Sequence, residues 1–470
     1  MANPYTGTVQ FYSAGQSTLS LPAGRYRITV TKGIEYKVET REVDVASGAT
    51  AQVGITLTRW INMPEKGWYR SDDHLHIARP HKELDPIFSK WMQAEDLHVA
   101  NFLQWGSMAR FHNTIQYAHG PSGVYREGNY LIASGQENPR TNALGHTIIL
   151  GASSPVHCPD DYIVYRSFWE KARRQGALSG FAHGGYSLET DPGAGDVGWG
   201  RVGIAVDLPH RLLSFVEVCQ MGSGWYEVWY EVLNTGFRIA PTGGTDYPCI
   251  ASLPGRECNY IQVEGPLTYD SWLEGLRRGR TFVSNGPILE FVVNGKGMGE
   301  ELILKKGGPV QIQGCVRFDP SRDDVQRLEL VRNGEVVKTF EREGDTAEIR
   351  CGLEVAVDEA CWLAFRIVGS KVGEQPYAET GQAQSSVAHT GVIYVSIEGG
   401  PAFSELPRAK ANAKKWIARL DDLEARLADD RIGNMIVGDE SLTVEHLKNN
   451  RSTLMQAIGA ARKHFNAQCR

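Results

Sequence analysis

Two histidines one residue apart, His74 and His76, carry the clearest chemical potential in this chain. They close the run Ser71-Asp72-Asp73-His74-Leu75-His76, which reads as the end of a strand. Alternation along a strand sends residues i and i+2 to one face, so the two imidazoles can serve a single metal ion. Further ionisable residues recur at or just after apolar runs: Glu137, His146, His183, Glu217 and Asp246. Taken singly, each is as readily a hydrogen-bonded core histidine or a carboxylate tied to a loop. Together they call for a common partner, because burying several such groups at neighbouring strand ends is costly unless something pairs them, and divalent cations do that. Arg79, three residues beyond the pair, suits either an anionic substrate group or the neutralisation of nearby carboxylates.

Such a set needs a scaffold that gathers strand ends on one rim. Residues 63–284 have the required pattern, with apolar strands alternating with helical segments at 85–100, 160–175 and 225–234. This predicts an α/β domain with a largely parallel sheet or barrel, whose strand-end rim is left open by the following loops. Residues 1–62 alternate apolar and polar positions, as in Tyr26-Arg27-Ile28-Thr29-Val30 and Ala51-Gln52-Val53-Gly54-Ile55-Thr56-Leu57, and read as a small β-sandwich. Residues 285–402 return to β patterning, with a hairpin closed at Asn333-Gly334, and read as a second sandwich. In residues 403–470, Trp416, Leu420, Leu423 and Leu427 recur at helical spacing, as do Leu447, Leu454, Ile458 and Ala461. They predict two amphipathic helices packed on the body or on a partner. The run Asn294-Gly295-Lys296-Gly297-Met298-Gly299 lies between two β-like runs and opens no helix, so it reads as a turn rather than a phosphate loop. Loops at 106–129, with Phe111, Tyr117 and Tyr125, and at 184–201 leave predicted strand ends and are placed to roof a pocket.

The length of 470 residues implies two to four domains. A formal net charge of -6 with interspersed signs weighs against a nucleic-acid partner and toward a small-molecule substrate. No run of about eighteen apolar residues predicts a membrane helix, and the N-terminus lacks a basic segment followed by an apolar one. A soluble chain is expected; its compartment stays open, since removal of a signal peptide leaves the same picture. Eight cysteines without a C-x-x-C pair read as neither a disulfide framework nor a zinc ribbon, and the absence of Gly-x-Ser-x-Gly argues against a serine hydrolase of that type. Association of copies through the N-terminal sandwich or the C-terminal helices is left open.

Residues 67–76, ending in Asp72-Asp73-His74-Leu75-His76, together with 91–98, Gly244-Thr245-Asp246-Tyr247-Pro248 and 279–287, make the chain resemble a known group. It is similar to the CehA/McbA metal-dependent hydrolases, related to carbaryl hydrolase, over roughly residues 20 to 300. The resemblance implies a PHP-like (polymerase and histidinol phosphatase) distorted β/α barrel, flanked here by the two β-sandwiches and the helical pair. It also implies a ligand set: His74, His76, Glu137 and Asp246 for one metal, and Glu137, His146 and His183 for a second. The third metal of PHP barrels lacks its ligands, because Pro248 stands where a histidine is needed and no Thr-Asp-His occurs at 97–101; His81 and His98 are left over. One or two divalent ions are therefore expected, with zinc favoured over manganese or iron. Such ions lower the pKa of a water toward about 7 and polarise a carbonyl or phosphoryl oxygen. The implied activity is hydrolysis of a small ester, carbamate or amide, with Glu217 or Asp246 as the acid near the rim; the role of Glu217 stays open between metal ligand, support behind the ligands and substrate contact. A phosphoesterase on the same barrel, and a metal-containing carbohydrate-binding or structural module without turnover, are the alternatives.

Overall fold

A computed structural model describes residues 11–106, 111–141, 144–184, 201–220, 223–249, 253–369, 371–372, 384–428, 445–446 and 448–470. Among them a large mixed sheet and seven α-helices form a mixed α/β fold. β1 (Gly24–Val30) and β2 (Glu39–Val45) pair as an antiparallel hairpin. The expected strand at 51–57 joins no ladder, so among the described residues the N-terminal β region is this hairpin and an extended return. A period-two pattern is met equally well by an extended segment outside a sheet. The region is tied to the body by buried Glu35, which accepts from Arg59 at 2.7 Å and from the Tyr260 hydroxyl at 3.0 Å.

The central strands run in one sequential row: β3 (Trp68–Leu75), β4 (Val99–Gly106), β5 (Tyr130–Thr141), β6 (Gly145–Leu150), β7 (Leu178–Phe181), β8 (Leu213–Gln220) and β9 (Ala240–Gly243). β3, β4 and β5 are parallel, β6 is antiparallel to both β5 and β7, and β7, β8 and β9 are again parallel. β10 (Cys258–Gln262) pairs antiparallel with β3. The backbone N–H of Gly243 donates to Asn259 Oδ1 at 2.6 Å, so the row curls until its two ends meet. Helices α1 (Asp85–Ala94), α2 (Tyr165–Arg174), α3 (Arg201–Asp207), α4 (Glu227–Asn234) and α5 (Tyr269–Arg277) connect these strands. The helix expected over 85–100 ends at Ala94: Asp96 turns the chain at φ 49°, and the apolar residues from Val99 belong to a strand buried on both faces.

Beyond β11 (Thr281–Ser284) come β12 (Ile288–Val293), β13 (Gly308–Arg317), β14 (Val325–Arg332), β15 (Glu335–Glu341), β16 (Glu348–Val357), β17 (Cys361–Gly369) and β18 (Ala388–Thr390). β12, β13 and β16 make a separate three-stranded antiparallel sheet. β14 and β15 form the expected hairpin, turning at Asn333 (φ 54°) and Gly334 (φ 90°). β14 pairs with β17, while β18 pairs with β11, which pairs with β10. Hydrogen bonds therefore cross the expected boundary at 284/285. One core follows, in which Tyr260 and Phe282 share a cluster with Phe291, Val316, Leu330 and Phe365.

α6 (Pro407–Ala428) and α7 (Arg451–Cys469) are the expected amphipathic helices. Trp416, Leu420, Leu423, Leu427, Leu454, Ile458 and Ala461 are buried in one cluster with Val228 and Trp229 of α4, so this stripe packs on the body. Leu447 lies outside the described residues. The Trp416 indole donates to Thr235 Oγ1 at 2.8 Å, and Arg419 pairs with Glu231 at 2.6 Å. All eight cysteines are unpaired thiols, and among the described residues no helix is long and apolar enough to cross a membrane.

Candidate metal centre

The row of strands delivers every predicted donor to one rim. His74 lies at the end of β3 with His76 just past it, Glu137 lies toward the end of β5, and Glu217 on β8. β6 runs back antiparallel to β5, which places its early residue His146 opposite Arg140 at the same end. His183 follows β7 and Asp246 follows β9.

There the side chains converge. His74 Nε2 and His76 Nε2 are 3.2 Å apart, and Asp246 Oδ1 stands 3.3 Å from the first and 3.1 Å from the second. With metal bonds of about 2.1 Å, neighbouring ligands of a tetrahedral ion lie about 3.4 Å apart, so this triangle fits a zinc-sized cation. Glu137 Oε2 is 3.4 Å from His76 Nε2, and Glu137 Oε1 is 3.9 Å from His74 Nε2. A second group joins His74, Glu137 and His183, all with a ligand atom within 4.8 Å of the others. Oε1 of Glu137 also meets His146 Nδ1 at 2.9 Å, and the His146 and His183 rings are 5.3 Å apart. Glu137 thus faces both histidine pairs, whereas His146 enters the cluster through Glu137 and is in neither triad.

Each imidazole of the His-x-His pair is held from behind. His74 Nδ1 donates to Glu217 Oε1 at 3.2 Å, and His76 Nδ1 faces the Leu103 carbonyl at 3.4 Å, which leaves both Nε2 atoms free for a cation. Oε2 of Glu217 accepts the His183 backbone N–H at 2.7 Å. Glu217 is fully buried behind the rim with both oxygens engaged by His74 and His183, so the supporting role is the one its contacts fit. Asp72, one of the motif residues assigned no role from sequence, accepts from the backbone N–H groups of His74, Thr245 and Gly255 and from Thr245 Oγ1 at 2.6 Å. It locks the end of β3 to the loop that carries Asp246. His183 (φ 43°) and Asp246 (φ 52°) both adopt the left-handed backbone conformation, a strain that persists where surrounding contacts impose it, as at functional sites.

The site is electrostatically mixed. Burial opposes the charged form of His74, but Asp246, Glu217 and Glu137 outweigh it and raise its pKa well above the usual imidazole range. Burial likewise opposes charge on Glu137 and Asp246, yet Arg140 with His146 holds the first below the usual carboxylate range, and His74 with His183 does so for the second. Burial, reinforced by Arg140, pushes His146 down to about 4. A neutral imidazole is the metal-ligating form. Arg140 was missed from sequence because a lone arginine in a strand carries no motif. Its Nε lies 3.4 Å from Glu137 Oε2 and its guanidinium sits 4.2 Å over the Trp105 ring, whose neighbour is His76.

Other expectations are corrected. Arg79 is fully buried, donating to Asp85 at 3.2 Å, to the Gly123 carbonyl and to Ser134 Oγ, and it lies 4.8 Å from the centre of the Tyr117 ring. Its two terminal nitrogens are engaged in neutralising Asp85 and anchoring the loop, and its 0% exposure encloses it away from solvent. In the 106–129 loop, Tyr117 donates to Asp85 at 2.7 Å and Tyr125 packs on the core around Ile132; the Phe111 side chain lies outside the described residues. Residues 185–200 of the other loop also lie outside them. His98 is stacked on Tyr130, and burial pushes it down to about 4; His81 is an exposed residue at a short 3-10 turn. Neither belongs to the metal-donor groups.

No protein-family model and no curated protein matches the chain. Among solved structures, the crystal structure of an engineered protein is similar at 12% identity, covering 58% of this chain and 66% of that one, with a TM-score of 0.15. The shared stretch is thus just under two thirds of that protein's length.

Proposed function

We propose that the chain is a metal-dependent hydrolase of the CehA/McbA type, with a PHP-like barrel at its centre, acting on a small ester, carbamate or amide. The observation that carries this reading is the triangle of His74 Nε2, His76 Nε2 and Asp246 Oδ1, with edges of 3.1–3.3 Å and orienting acceptors behind both imidazoles. His74, His76, Asp246 and Glu137 would hold one divalent ion; Glu137, His183 and His146 would serve a second, with zinc favoured by the imidazole-rich set. When bound, such an ion supplies Lewis acidity and makes hydroxide available near neutral pH. The chain's own groups do the rest: Glu217 and Leu103 fix the imidazole tautomers, and Asp72 fixes the Asp246 loop.

Asp246 and His183 each leave 14% of the side chain exposed, which favours a site open to substrate over a closed structural metal site. One observation favours a second reading, a phosphoesterase: Arg140, with 24% of its side chain exposed beside Glu137, is a cation at the edge of the donor set.

Metal analysis of the purified protein, followed by aryl esters, carbamates, phosphomonoesters and phosphodiesters with and without chelator, tests the proposal. Bound metal at one or two ions per chain with chelator-sensitive turnover of an ester or carbamate is expected, and His183→Ala should remove most of it while leaving the fold intact. Turnover of phosphoesters alone would select the second reading. Stoichiometric metal with no turnover would point to a binding module.

A further inference from the structure

Beneath α7, and apart from the metal donors, lies a partly open pocket of about 240 Å³. Leu144, Tyr165, Val206, Leu454 and Ala457 are among its apolar lining residues, and Asp207, at the end of α3, lines it together with the polar Arg166, His210, Thr453 and Gln456. Asp207 is only 4% exposed, and among the described residues its carboxylate has neither a hydrogen bond nor an ion pair. Burial alone pushes this carboxyl up to about 8. The other polar groups of the wall do not relieve it: Thr453 and Gln456 make no hydrogen bond to it. Arg166 is engaged with Glu170 at 2.6 Å, the Tyr165 hydroxyl is spent on Thr141 at 2.8 Å and the Gly145 carbonyl at 2.7 Å, and burial disfavours a charge on His210.

A buried carboxylate without a partner costs several kcal/mol, and a cation that brings its own hydrogen-bond donors relieves that cost. One carboxylate among these wall residues supplies too few ligands for a metal ion. An alkyl or arylalkyl ammonium matches these features: three donors and one charge for Asp207, and an apolar body for the leucine, valine and alanine side chains of the wall. At about 30 Å³ per water the space equals roughly eight waters, room for a guest of about eight heavy atoms. We propose that this cavity is a binding site for a small primary amine in its ammonium form, anchored by Asp207. The site is independent of the metal centre and of the hydrolase reading.

Isothermal titration of the full-length protein with benzylamine and with its uncharged counterpart benzyl alcohol tests the proposal. Benzylamine should bind with a Kd of about 1 mM or tighter, and benzyl alcohol at least about tenfold more weakly. Asp207→Asn should weaken benzylamine at least about tenfold while leaving benzyl alcohol unchanged, because only the charged guest loses its partner. Ala457→Phe, which fills the cavity and keeps the carboxylate, should abolish binding of both; circular dichroism checks that each variant is folded. Equal binding of amine and alcohol, unchanged benzylamine affinity in folded Asp207→Asn, or no binding of benzylamine up to about 10 mM would overturn it.

Discussion

Replacing Glu217 by glutamine tests how the candidate centre is organised. The two side chains have nearly the same shape, but the carboxylate accepts at both oxygens, whereas the amide accepts at one end and donates at the other. In the wild type Oε1 takes the Nδ1 proton of His74 at 3.2 Å and Oε2 takes the His183 backbone N–H at 2.7 Å. The backbone donor cannot reverse its role, so the glutamine oxygen must remain on His183 and the NH2 must face His74 Nδ1. His74 then becomes the acceptor at Nδ1 and carries its proton on Nε2, the atom that points at His76 and Asp246. A protonated Nε2 cannot ligate. Loss of an orienting partner of this kind costs about 10- to 100-fold in metal affinity, or roughly 1.4–2.7 kcal/mol. Zinc affinity should be measured by competition against a chromophoric chelator for wild type, Glu217→Gln and His74→Ala, with circular dichroism for the fold. The expected order is wild type tightest, Glu217→Gln intermediate and His74→Ala weakest. If folded Glu217→Gln binds zinc within about twofold of wild type, Glu217 does not set the His74 tautomer and the reasoning fails.

Three further outcomes are expected. Arg79→Ala leaves Asp85 without its ion-pair partner at 2% exposure, with the Tyr117 hydroxyl still on it, so it should destabilise the fold by about 3 kcal/mol in urea melts while changing metal affinity less than about twofold; a selective loss of metal would contradict a purely structural Arg79. Gly244→Ala should lower metal stoichiometry as well as stability, because the added Cβ would lie 2.6 Å from His74 Cβ and 2.7 Å from Glu217 Oε1; full metal content would refute the close approach. Asp207 has a folded pKa of about 8 against an ordinary 3.8, so between those values the folded state holds the extra proton and stability falls as pH rises. Asp207→Asn removes that loss: its stability relative to wild type should increase from pH 4 toward pH 8 and level off above, and a pH-independent difference in urea melts would show that Asp207 titrates normally.

Much of the candidate donor cluster was legible in one dimension because strand ends leave local marks. An apolar run that stops at a histidine or carboxylate is visible without knowing the fold, and His74, His76, Glu137, His183 and Asp246 all lie in the two donor groups. The amphipathic tail was legible for a related reason, since a helix repeats its buried face at a fixed spacing and Trp416, Leu420 and Leu454 kept to it. The pairing across residue 284 was not. The chain changes pattern near 284, yet β10, β11 and β18 carry one set of hydrogen bonds across that point, and ladder pairing depends on which edges meet in space.

The residue sequence by itself determined which donor types exist and that alternation puts His74 and His76 on one face, because the two-residue period is a property of any extended backbone. Tertiary structure decided what each group does. Glu217, 143 positions from His74, became an orienting acceptor, and Arg79, five residues from the donor at position 74, turned away to Asp85 and Ser134. Roles of this kind rest on distances of about 3 Å between distant segments, where the directionality of a hydrogen bond separates a ligand from its support, and spacing along the chain carries no record of that direction.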